Sequence, residues 1–148
     1  MTDTLFKEPS GLDQVRALRD GKSDWRGIAH LLDFKPVEVE DGFVVFEGHP
    51  GKSVYNPIGS VHGGYAATML DTVMGCAVHS RLKAGQGYTT LELKVAYHKA
   101  LSAESGPVRA EGRVVSLGRR AGFAEAKLFD KNGALCATAT STLLVFSK

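Results

Sequence analysis

From Tyr65 to Val78 the chain carries Ala66, Ala67, Met69, Leu70, Val73, Met74, Cys76 and Ala77 with almost no polar relief. Apolar character on nearly every side predicts a helix buried by the rest of the domain, approximately Gly63 to Leu82, ended by Lys83-Ala84-Gly85. Asp71 lies inside it. A carboxylate is costly there, so Asp71 is expected to face a partner, a water or a ligand. Upstream, helical spacing at Gly11 to Arg19 (Leu12, Val15, Leu18) and Asp24 to Leu32 (Trp25, Ile28, Leu31, Leu32) breaks at Gly21 and predicts a short helical preface. Lys35 to Glu40 and Phe43 to Gly48 are β-rich and flank Asp41-Gly42, a two-residue hairpin signal. His49 to Ser60 reads as a loop. After the long helix come four strand-like runs: Tyr88 to Tyr97, Val108 to Ser116, Gly122 to Asp130 and Ala134 to Phe146. Glycine-containing turns join the later runs, and short connections imply antiparallel pairing. The pattern is α+β: one hydrophobic helix between a leading hairpin and four strands, with the sheet curled around the helix and burying it nearly all round.

Composition narrows the function. With 148 residues, 43% of them hydrophobic, the chain is bounded to one globular domain, divided here into a helical extension at 1–33 and a main body at 34–148. A net charge of +2 without a basic block excludes a nucleic-acid footprint and leaves room for anionic small molecules. Cys76 and Cys136 match no metal spacing and read as reduced thiols. No apolar run approaches the roughly 20 residues of a membrane span, and MTDTLFKEPSG lacks the order of a signal peptide. A cytoplasmic protein without membrane association is expected.

The segment NPIGSVHGGYAATMLD, Asn56 to Asp71, carries the chemistry. An Asn six residues before HGG and an Asp nine residues after its His give a spacing that resembles the hotdog-fold acyl-CoA thioesterases of the phenylacetate-degradation (PaaI-like) type. The likeness continues through GYTTLELKVAYHKAL and GRRAGFAEAKLFDKNGALCATATSTLLV, spanning about residues 34 to 146. It implies a hotdog fold and hydrolysis of an acyl- or aryl-CoA thioester, with no metal and no cofactor besides the CoA of the substrate. Residue by residue, it implies that the Gly63 backbone N–H polarises the thioester carbonyl. The same resemblance implies that Asp71 serves as general base or nucleophile, that Asn56 orients substrate or water, and that His62 supports the helix start. It also implies a Ser or Thr at the start of the next strand: Thr90 by counting back from Tyr97, with Thr89 the alternative. A helix N-terminus suits the oxyanion role, because its unpaired N–H groups and partial positive charge face the same way. Gly64, whose first use is close helix packing, and the turn residues Arg119 and Arg120 complete the substrate-binding candidates. Lys99, Arg109 and Arg113 are equal candidates for CoA phosphates.

Geometry adds an oligomer. Gly63 and Asp71 are eight residues apart on one helix, about 12 Å of rise. Catalytic groups must lie within about 3 Å of the reacting atoms, so one site needs Asp71 from one subunit and Gly63 from another. A homodimer is expected, with assembly to a tetramer open. Plainer readings exist: Asp71 as a structural carboxylate, Asn56 before Pro57 as a turn residue, Arg119 and Arg120 as a solvated hairpin tip. His79, near the helix C-terminus, is read as a dipole-stabilised, partly protonated imidazole without function. His30, His49 and His98 are scattered, giving no metal site. Competing activities are a hotdog dehydratase or hydratase and a non-catalytic acyl-CoA-binding module.

Overall fold

The computed structural model describes residues 8–148. Six strands form one antiparallel sheet: β1 (Phe34–Glu40), β2 (Phe43–Gly48), β3 (Gln86–Tyr97), β4 (Val108–Leu117), β5 (Ala121–Phe129) and β6 (Leu135–Ser147). Their spatial order is β1-β2-β4-β5-β6-β3, so β3 is an edge strand. Helices α1 (Gly11–Arg19) and α2 (Ile28–Leu31) precede the sheet, and α3 (Gly63–His79) fills its concave face. Met69, Leu70, Val73 and Met74 of α3 are fully buried, facing β-strand residues such as Phe46, Ala110, Leu128 and Leu143. At Gly112 the helix lies directly on the strand, where a β-carbon would sit 2.5 Å from the Val73 carbonyl oxygen. This is the hotdog α+β fold that the resemblance implied.

The structure departs from the sequence reading in three ways, two of them at helix boundaries. The helix expected over Asp24 to Leu32 shrinks to α2, because polar groups at its start bond locally. The Ser23 hydroxyl accepts the Trp25 N–H, and Arg26 donates to the carbonyls of Ser23 and Trp25. The long helix stops at His79 rather than Leu82. Buried Ser80 donates to the Ala77 carbonyl and accepts the Gly42 N–H of the β1–β2 turn, which ties the helix end to the leading hairpin. The sheet also does not bury α3 all round. Gly64, Ala67, Thr68, Asp71 and Thr72, at i, i+3, i+4, i+7 and i+8, form a stripe left partly or fully open.

Helix α1 docks against the far end of α3. Ser10 caps it by accepting the Asp13 N–H, and Gly11 donates to the Leu82 carbonyl at 3.0 Å. A β-carbon at Gly11 would lie 1.8 Å from the His79 carbonyl oxygen, so only glycine permits this approach.

The edge strand β3 has an irregularity that matters to the site. Thr90 pairs with Leu143 and Glu92 with Thr142, leaving Leu91 as a one-residue bulge. Without the bulge, Thr90 and Tyr97, seven residues apart, would face opposite sides of the sheet. With it, both reach α3: Thr90 at Asp71 and Tyr97 at Gly63.

Candidate active site

The start of α3 is prepared as a donor site. His62 is the N-cap, and its Nδ1 accepts the Gly64 N–H at 2.8 Å. The Tyr65 N–H goes to the His62 carbonyl. Gly63, at the first helical position, has no intrahelical acceptor for its N–H, which donates to no other backbone group among the described residues and is free for a ligand oxygen. The Tyr97 hydroxyl donates to the Gly63 carbonyl, holding that first turn from the sheet side. Sequence reasoning missed this clamp; Tyr97 read only as a strand end. Gly64 is exposed, but its N–H is used by His62, so it has no donor to offer a substrate.

Asn56 organises the approach to this helix. Its carboxamide oxygen accepts the N–H groups of Ile58 and Ser60, and its NH2 donates to the Ser60 hydroxyl at 3.0 Å. The turn-forming reading of Asn-Pro is therefore realised in the loop, with one amide proton left over.

Two turns along α3, Asp71 is half-buried and accepts a 2.9 Å hydrogen bond from the Thr90 hydroxyl. Of the two threonines considered, Thr90 makes the contact and Thr89 is exposed. Beside it, burial pushes the Cys76 thiol up to about 12, with the Asp71 charge adding to the effect, so Cys76 is no nucleophile at neutral pH. Burial likewise raises the Tyr88 phenol.

His79 corrects the sequence reading. Burial, reinforced by the Lys148 charge, pushes its pKa below the usual imidazole value, so the ring is neutral at pH 7. One ring nitrogen bonds Gln14 at 2.9 Å, joining α1 to α3.

The structure separates the two halves of the motif. Gly63 and His62 line a cavity of about 380 Å³ with His98 and Lys99. Asp71 lines a different one, about 720 Å³, between α3 and α1. No single protomer brings Gly63 and Asp71 to one point. Among the basic candidates, Arg109 is paired with Glu38 and Glu111, and Lys99 with Asp130. Arg113 lies over the Phe43 ring. Arg119 and Arg120 form no ion pair among the described residues. Their turn leads into Ala121, which shares the partner Leu144 with Thr89, placing it two strands away across the sheet. No group of three or more potential metal ligands occurs among the described residues. No described helix is long and apolar enough to cross a membrane.

A free helix-start N–H and a helix-borne carboxylate with a hydroxyl partner are thus set on a hotdog fold. Residues 58–137 match the thioesterase superfamily model, and the chain belongs to that family of thioester hydrolases. It is 31% identical over 111 residues to the proofreading thioesterase EntH of Klebsiella pneumoniae, covering 75% of this chain and 79% of that one. Among solved structures it resembles a phenylacetic acid degradation-related protein of Ralstonia eutropha JMP134, with TM-score 0.79 and 26% identity over 88% of this chain and 98% of the other. It also resembles a hypothetical thioesterase of Streptococcus pneumoniae solved with coenzyme A, with TM-score 0.70 and 26% identity over 78% and 90%.

Proposed function

We propose that this protein hydrolyses an acyl- or aryl-CoA thioester to the free acid and CoA, in a site shared by two copies of the chain. The observation that carries this reading is that Asp71, hydrogen-bonded by Thr90, lines one cavity while Gly63, with its free N–H, lines another. Two features support the shared site. The open stripe on α3 contains Asp71, and the adjacent edge strand β3 offers twelve residues with Leu91, Leu93 and Tyr97 exposed. Such an edge is a template for pairing with a second copy. Antiparallel apposition of two α3 helices about a twofold axis would set Asp71 of one protomer against Gly63 of its partner.

In the reaction, the carbonyl oxygen takes the Gly63 N–H as it becomes an oxyanion. Asp71 then acts in one of two ways. It removes a proton from water, held beside it by Thr90, as the water oxygen bonds to the carbonyl carbon. Alternatively, its carboxylate attacks that carbon and the resulting anhydride is hydrolysed. Either way the C–S bond breaks and CoA leaves as its thiolate, to be protonated by solvent. The coenzyme A bound to the Streptococcus pneumoniae protein supports CoA as the carrier. Lys99 beside Gly63 and the unpaired Arg119 and Arg120 are the cations offered to its phosphates.

The test is thiol release, followed with a chromogenic disulfide reagent, over phenylacetyl-, hydroxybenzoyl- and straight-chain acyl-CoAs. Wild type is expected to turn over, while Asp71→Ala loses most activity but still binds. Full activity in Asp71→Asn would overturn both roles for the carboxylate. Binding without release from any thioester would instead make the protein an acyl-CoA-binding module.

A further inference from the structure

The cavity beside Asp71 is built largely from a segment outside the family match, which begins at residue 58. Its floor is the α3 face carrying Thr72, Cys76 and His79, and its roof is Val15 and Leu18 of α1. Trp25 and Ile28 form a side wall, 45% and 49% exposed. Large apolar side chains left this open beside a reactive carboxylate suit a ligand-filled wall better than a sealed core. Asp71 lies at one end, and the Gln14–His79 hydrogen bond marks the other, eight residues along α3 or about 12 Å away.

We infer that the N-terminal segment is the acyl-selecting wall of the enzyme, with Leu18, Trp25 and Ile28 gripping an aryl or medium-chain acyl group. The inference rests on the thioesterase reading and extends it to substrate class. In a thioester the acyl group and the sulfur lie on opposite sides of the carbonyl carbon, so the two cavities divide the substrate between them. The cavity at Gly63, with His98 and Lys99, suits the polar CoA arm. That at Asp71, walled by Val15, Leu18, Trp25 and Ile28, suits the acyl group. Its volume of about 720 Å³ admits a phenyl ring or an extended chain and is far larger than an acetyl group requires.

Trp25 is the only tryptophan of the chain, so intrinsic fluorescence reads this wall directly. The first measurement titrates wild type with the octyl-CoA thioether, which has no carbonyl to hydrolyse, against CoA alone. A saturable blue shift with the thioether and none with CoA is expected. Emission that stays flat overturns the inference, whether or not calorimetry detects binding. The second measurement is thiol release by Trp25→Ala and by Ile28→Ala. Each is expected to lose about tenfold or more in kcat/KM for phenylacetyl- and octanoyl-CoA, mainly through KM, while acetyl-CoA changes less than about twofold. An equal change for all three substrates, or none, overturns the inference even when turnover depends on Asp71. If no thioester is hydrolysed but Trp25 still responds to the thioether, the hydrolytic reading fails and the pocket assignment stands. Thermal unfolding of both variants separates altered selectivity from altered folding.

Discussion

The Gly63 N–H can be removed with little disturbance to the helix that carries it. Gly63 occupies the first helical position, where proline is well tolerated. His62 before it has φ −58° and ψ 135°, the conformation favoured ahead of proline. A β-carbon at Gly63 would come 3.1 Å from the Tyr97 hydroxyl, the far end of a side chain that can shift. Gly63→Pro is therefore expected to fold and to lose about 10²- to 10³-fold in kcat, the usual cost of one oxyanion donor. Gly63→Ala keeps the N–H and adds the same β-carbon, so it is the control and should remain within a few fold of wild type. Combining Gly63→Pro with Asp71→Ala then tests the shared site. In a heterodimer of the two variants, one site pairs Asp71 from the proline subunit with Gly63 from the alanine subunit and is intact; the other site carries both lesions. If the subunits assort at random, half the dimers are mixed, so about a quarter of wild-type sites return. The assay is thiol release from co-expressed, differently tagged subunits, with each variant alone as the baseline. No recovery in isolated heterodimers, or full activity in Gly63→Pro, would refute the reasoning.

Thr90→Val should lower kcat about 10- to 100-fold with KM little changed, because a hydrogen bond to a charged group is worth about 1.5–3 kcal/mol, and Thr90→Ser should restore most of it. Gly112→Ala forces a β-carbon against the Val73 backbone, which cannot yield as a side chain would; a loss of about 1–3 kcal/mol is expected in the unfolding free energy from denaturant titration. Leu70→Ala, at a fully buried position of α3, should cost about 2–5 kcal/mol by the same measurement. His79, depressed below 6.5 by burial, binds its proton more readily unfolded. Its stabilising contribution is whole above pH 6.5 and is lost as the pH falls through the lower folded value. Melting temperature should therefore drop on acidification below about 6.5, and the drop should be smaller in His79→Gln.

Six strands, one dominant helix and antiparallel pairing were legible because each element carries its own period and its own turn chemistry. The Asp41-Gly42 hairpin and the Lys131-Asn132-Gly133 turn are local signals, and Gly42 and Gly133 adopt positive φ. The strand order was not legible, since β2 pairs with β4 and β3 crosses to the far edge, and no local pattern encodes either choice. Asp71 announced itself as a charge in an apolar run. Tyr97 did not, because its role depends on a contact with Gly63, 34 residues away. The preference for Thr90 over Thr89 rested on a count, and its physical cause is a bulge that periodicity cannot show. The helical preface reads in the sequence as an extension outside the resemblance; only its docking along α3 shows that it walls the cavity beside Asp71.

Leu91 is a residue set aside from the ladder so that the rest of β3 stays in phase. Its side chain is 57% exposed and it has no cross-strand partner, so polar or small substitutions there should pass almost unnoticed. Deleting it would leave Thr90 and Tyr97 six residues apart, an even spacing that keeps both on the α3 face with the same partners on β6. What the strand cannot absorb is the bulge flattening with every residue retained, or a deletion paired with a new bulge, because Tyr97 would then turn from Gly63 while Thr90 still faced Asp71. Variation here is governed by parity: letters are freely interchanged, and only an odd shift in the paired count is forbidden.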